Sequence, residues 1–189
     1  MISTIDLVRR RGVAGTGISA IVEHGHVARG SIYLNFPGGK SELVQEATRL
    51  AANFIDQQIA TALHQPTPQA TLQAFIAEWK KVVSESDFLA GCPIAAAGLA
   101  RSCEPQIADI AGQTFRRWKD TISKSLHEHG ITESTARALA NTVLAAVEGA
   151  VIMALAERSL TPLDDVHHQL HILLNHHLEL SEVAAPPPE

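Results

Sequence analysis

From Lys40 to the C-terminus, apolar side chains return every three or four residues, as at Leu43, Ala47, Leu50 and Phe54 and again at Ile59 and Leu63. That spacing matches the turn of an α-helix, and no stretch alternates as a strand does. Proline and glycine cut the pattern into lengths at Pro37-Gly38-Gly39, Pro66-Thr67-Pro68, Gly91-Cys92-Pro93, Glu104-Pro105, Gly130 and Thr161-Pro162. The chain is therefore expected to be all-α, with about nine helices near 2–11, 18–24, 28–35, 40–64, 68–86, 93–102, 105–129, 133–158 and 163–180. Short helices crowd residues 1–39, a long helix joins them to a helical body over 40–182, and the proline-rich tail 183–189 is expected to be disordered.

Composition narrows the class. With 46% apolar and 19% charged residues the chain is too hydrophobic for a disordered protein, and no run of 18 residues is wholly apolar, which argues against a membrane span. Arg9, Arg10 and Arg11 follow the first apolar residues instead of preceding them, unlike a secretory signal, so a cytoplasmic location is expected. There Cys92 and Cys103 are expected to stay thiols. Residues 1–50 carry a net charge of +2 and the other 139 a net of −7, the distribution of an acidic protein whose head meets a polyanion. No Gly-x-Ser-x-Gly, His-Glu-x-x-His, phosphate-cradling glycine loop or spaced pair of carboxylates occurs, so neither catalysis nor a cofactor is expected.

The head reads as a helix-turn-helix. Ile18, Ile21 and Val22 form one apolar face of a short helix that Thr16 is placed to cap, a turn follows at Gly25-His26-Val27, and a second short helix offers Ile32 and Phe36 to the same core. In such a unit the second helix enters the major groove. Its remaining side chains suit a groove-bound helix, with Arg29 for a guanine edge or a phosphate, and Ser31, Tyr33 and Asn35 for phosphates, while Gly30 lets backbone approach closely. Lys40, with the N-terminus of the long helix, makes an anion site. Each of these also fits a plain structural role, with Tyr33 in the core, Lys40 in solvent and the glycines in turns.

Taken together, Gly12, Thr16, Ile18, Ile21, the run Val27-Ala28-Arg29-Gly30-Ser31-Ile32-Tyr33-Leu34-Asn35-Phe36, Lys40 and Leu43 resemble the DNA-binding domain of the TetR-type transcriptional regulators. Phe36-Pro37-Gly38-Gly39-Lys40 and Gly91-Cys92-Pro93-Ile94-Ala95 are similar to the LmrA/YxaF-like subgroup, whose members respond to drug-like or aromatic compounds. His26 stands where the family usually has Gly, Ala28 where it has Ser or Thr, Leu34 where Tyr is common and Asn35 where His is common, and the first helix is short. The resemblance implies a three-helix head, a long connecting helix, a body that binds a small molecule, and a homodimeric repressor released from a palindromic operator.

In the body, Ala138 to Ala156 is apolar almost all round, which predicts burial on most sides; Asn141 and Glu148 in its middle argue against lipid. Small residues four apart, Ala145 with Gly149 and Ala146 with Ala150, let a second helix pack closely. With the helix near 163–180 this one is expected to form the intersubunit bundle that the resemblance implies. Trp79, Phe88, Phe115 and Trp118, with Cys92 and Glu148, are the expected effector contacts, although Glu148 also suits an ion pair with Arg101, Arg116 or Arg137. Five histidines, His167, His168, His171, His176 and His177, mark the last helix; no third ligand type completes a set, and no metal is assigned. Two alternatives remain: a redox- or metal-sensing regulator using Cys92, Cys103 or those histidines, and a helical dimeric binding protein without DNA binding.

Overall fold

The computed structural model describes residues 1–184 and consists, over these residues, of nine α-helices and one 3₁₀ turn, with no strand. They are α1 (Ile2–Arg11), α2 (Ile18–Gly25), α3 (Arg29–Asn35), α4 (Gly39–Ala62), α5 (Pro68–Glu85), α6 (Pro93–Gly98), α7 (Pro105–Glu128), α8 (Glu133–Glu157) and α9 (Thr161–Ala184), with the 3₁₀ turn at Leu99–Ser102. The breakers act as their chemistry dictates. Pro68 and Pro93 open helices where no N–H is needed, capped by the Thr67 hydroxyl accepting from Ala70 N at 3.2 Å and by Cys92 Sγ accepting from Ala95 N at 3.4 Å.

Three expectations are corrected. The stretch 93–102 is not one helix: α6 tightens after Gly98 into the 3₁₀ turn, as helix ends do when i→i+3 bonds satisfy the last carbonyls. The last helix begins at Thr161 and reaches Ala184, while residues 185–189 of the expected tail lie outside the described residues. Finally, α8 is not buried on most sides: it packs on α5 and α9, with Leu139, Val143, Val147 and Val151 buried, and leaves Ala138, Thr142, Ala145, Ile152 and Ala156 exposed, although it is long and apolar enough to cross a membrane by length and composition.

The chain forms two compact units, one of Met1–Asp56 with Leu89–Phe115, the other of Gln57–Phe88 with the residues from Arg116 onward. The first unit thus adds residues 89–115 to the head. Its core gathers Leu7, Ile21, Ile32 and Leu43, against which Ile18, Ala20, Val22 and Phe36 pack, so α1 to α4 converge on one apolar cluster. Residues 89–115 grip this head at two places. Arg9 Nε donates to the Gly91 carbonyl at 3.1 Å and Nη2 to that of Ala90 at 3.4 Å, while Gly91 N–H donates back to the Arg9 carbonyl at 3.1 Å. Ser41 Oγ donates to the Glu104 carboxylate at 2.8 Å, and Gln45 Nε2 to Gln106 Oε1 at 3.0 Å. In the second unit α5, α8 and α9 pack mutually, and Leu72, Ile76, Trp79, Val83, Trp118, Leu163, Leu170 and Leu174 are buried.

Candidate nucleic-acid interface and effector cavity

A helix of seven residues does not persist alone, so α3 depends on its neighbours. Ile32 is buried in the head cluster and Phe36 packs against it. His26 takes the left-handed conformation that ends α2, at φ 49° and ψ 41°, and the Val27 N–H returns to the Val22 carbonyl at 3.3 Å. The turn expected at Gly25-His26-Val27 therefore forms with His where glycine would be freer. Ala28 is the N-cap of α3 and contributes no side-chain hydrogen bond.

Most of the expected contact residues lie on the outside of this construction. Arg29, Gly30, Ser31, Tyr33 and Asn35 are exposed, and Lys40 is half-buried. Neither Arg29 nor Lys40 meets an acidic partner among the described residues, which leaves both cations for an outside anion. Asn35 is less free, since its Nδ2 donates to the Ser31 carbonyl at 2.8 Å. The Tyr33 ring leans on the first residue of α4, its Cε1 standing 3.4 Å from where a Cβ on Gly39 would be. Since Ile32 and Leu43 share one core, the outer face of α3 and the start of α4 are held side by side. At that start the Glu42 carboxylate already accepts from Gly38 N–H at 2.7 Å, so this one amide is taken by the protein itself.

Thr16 differs from its expected role. Its side chain is fully buried and its hydroxyl donates to the Gly12 carbonyl at 2.7 Å, while Gly17 serves as the N-cap of α2. A threonine hydroxyl bonds backward to a carbonyl as readily as forward to an amide, and here the backward bond closes the α1–α2 connection. Leu34, noted in the sequence only as standing where Tyr is common and assigned no contact, is 82% exposed on α3.

The expected effector contacts are divided between the two units. Phe115 and the N-cap residue Cys92 lie in the first unit; Trp79, Phe88, Trp118 and Glu148 lie in the second. Trp79 and Trp118 are buried, Phe88 lies under the Arg158 guanidinium at 5.9 Å, and Glu148 is half-buried on α8. Two of the arginines considered for Glu148 are engaged elsewhere, Arg101 with Asp109 and Arg137 with Glu133. What the second unit does contain is an apolar cavity of about 50 Å³, walled by Ile59, Leu63, Phe75, Leu126, Val143 and Leu174, with Thr71 and Ser125 as its polar side chains. None of the six expected residues lines it, although Trp79 meets the lining Phe75 edge to face at 6.5 Å. A void between apolar side chains has no mark of its own in a sequence, because its walls look like any core.

Cys103 is exposed and Cys92 buried. His171 Nδ1 stands 3.2 Å from the Asn175 amide nitrogen, and no group of three metal-ligating side chains gathers among the described residues.

Comparison with known proteins accounts for this arrangement. Residues 3–47 match the model of the bacterial regulatory proteins of the tetR family, and residues 68–169 match the C-terminal domain of LmrA/YxaF-like transcriptional regulators. An uncharacterized HTH-type transcriptional regulator of Mycobacterium tuberculosis, Rv0196, is 36% identical over 92% of this chain and 91% of its own. The HTH-type transcriptional regulator LmrA of Bacillus subtilis is 30% identical over 83% and 85%. The crystal structure of a regulatory protein TetR from Rhodobacter sphaeroides shares the fold at TM-score 0.83 and 18% identity, over 90% of this chain and 94% of that one. The helix-turn-helix head, the nine-helix order and the matched segments agree, and the chain belongs to the TetR family of DNA-binding transcriptional regulators, with a C-terminal domain of the LmrA/YxaF-like kind.

Proposed function

We propose that this regulator is a homodimeric repressor, acting in the cytoplasm, that a small apolar effector releases from a palindromic operator. The observation that carries the effector reading is the cavity of the second unit, whose walls are almost wholly apolar and offer two hydroxyls and no charge. Such a wall suits an uncharged aromatic or aliphatic compound. At about 50 Å³ the space is smaller than a drug-sized ligand needs, so binding requires the lining side chains to move, and that movement is what makes occupancy count.

On the DNA side, Arg29, Ser31, Tyr33, Asn35 and Lys40 are assigned to the duplex, Gly30 to close backbone approach, and the buried Thr16 to bracing α2 from within. Two copies paired through α8 and α9 would set their recognition helices in successive major grooves, about 34 Å apart. The small residues Ala138, Ala145 and Ala156 exposed on α8, with open space where a Cβ on Gly149 would be, support this pairing.

The test is a mobility-shift titration with the gene's own upstream DNA over a range of salt, comparing the wild type with Tyr33→Ala and Lys40→Ala. Losing either phosphate contact should weaken binding on every sequence, and loss of the Lys40 charge alone should also reduce the salt slope, by about one per subunit. Uncharged aromatic compounds added to the bound complex should then release it. Binding unchanged in both variants removes these residues from the interface, and release by oxidant or chelator alone points to Cys103 or the histidines instead.

A further inference from the structure

The face of α3 farthest from the protein is apolar, although every neighbouring face is polar. A helix advances about 100° per residue, so with Ile32 turned into the core, Gly30 and Leu34 each lie about 160° away from it. They form the crest of α3, four residues apart on one line. Arg29 and Tyr33 occupy one flank, and Ser31 and Asn35 the other. At this crest Leu34 is 82% exposed and Gly30 has open space where its Cβ would be. The fold makes no use of either feature, since the apolar cluster is completed by Ile32 and Phe36. A bare backbone beside a projecting isobutyl group, on the crest of a recognition helix, matches one element of the major groove: the C5 methyl of thymine, which is read by apolar contact and not by hydrogen bonds.

We propose that Leu34 is a specificity-determining residue that reads a thymine methyl group in each operator half-site, with Gly30 letting α3 sink far enough for the contact. The assignment rests on α3 being the helix that enters the groove. Arg29, Tyr33 and Lys40 then hold the helix in register on phosphates and leave base choice at this position to an apolar contact.

The experiment uses the full chain and a duplex that the wild type enriches from a random-sequence pool. Each thymine is replaced in turn by deoxyuridine, which pairs identically and lacks the methyl group. The wild type should lose about fourfold in affinity at one thymine per half-site, the factor that corresponds to burying a single methyl. Leu34→Ala, at an exposed position and folded by circular dichroism, should bind the two duplexes equally. If every thymine can be exchanged without loss, or if Leu34→Ala stays as sensitive to the exchange as the wild type, the assignment of Leu34 is overturned. If the wild type enriches no sequence, the reading of α3 as the recognition helix falls, and Leu34 with it.

Discussion

Tyr33 stands beside Gly39: a Cβ added to this first residue of the long helix α4, which has φ +68°, would lie 3.4 Å from the Tyr33 ring. Gly39→Ala should therefore strain a left-handed backbone at about 1 kcal/mol, while its methyl meets the Tyr33 ring at ordinary contact distance. The expected result is a lower urea midpoint with DNA affinity nearly unchanged; a large affinity loss would show that the methyl displaces the ring.

Ala28 opens α3 without a cap, at the position where the family usually has Ser or Thr. Ala28→Ser supplies a hydroxyl for the free amides of the first turn and should add about 1 kcal/mol of stability. Because α3 has only seven residues, the gain should also tighten DNA binding by holding the helix formed. Chemical denaturation and fluorescence anisotropy measure the two effects on one preparation.

At Gly30 the expected effects oppose each other. Gly30→Ala meets no protein atom and removes a flexible residue from a helix, so thermal stability should rise by about 0.5 kcal/mol. The new methyl stands on the crest that faces the groove, so affinity for operator DNA should fall. A variant that gains both stability and affinity would show that nothing approaches this glycine.

Much of this architecture was legible in the sequence because helix periods and breakers are local signals. Pro68, Pro93 and Gly130 end or begin helices wherever they fall, and Ile18, Ile21, Val22, Ile32 and Phe36 assemble the head core as their spacing predicts. The failures were choices between two local chemistries. Thr16 could bond forward or backward, and the stretch after Gly98 could continue or tighten, and neither choice is decided until the neighbours are in place. The cavity was illegible for another reason: Phe75 and Val143 line it while Trp79 does not, a difference made by packing alone.

Arg9 joins α1 to the Gly91-Cys92-Pro93 segment that sequence resemblance singled out. Its guanidinium bonds carbonyls in a partly buried place, and burial lowers its pKa from the ordinary value. The penalty for keeping it charged would be relieved only in strong alkali, so Arg9 should add no pH dependence to stability between pH 6 and 9. Arg9→Ala removes the guanidinium hydrogen bonds to the Ala90 and Gly91 carbonyls and should cost about 2 kcal/mol at every pH in that range. A loss that varies across the range would assign the effect to a different group.

On α8, the exposed Ala145 and the half-buried Gly149 lie one turn apart, between the exposed Thr142 and Ile152. A side chain added there meets solvent within one chain and meets the opposing helix in a close-packed pair. Gly149→Arg and Ala145→Arg should therefore leave helical content and melting of the isolated chain nearly unchanged. In light scattering the particle should fall from twice the chain mass to the single-chain value of 20.3 kDa. DNA binding should weaken as well, since two heads on one rigid body bind a palindrome far better than one head alone. A wild type that already runs at the single-chain mass, or variants that remain at twice that mass, would place the partner helix elsewhere and remove α8 from the interface.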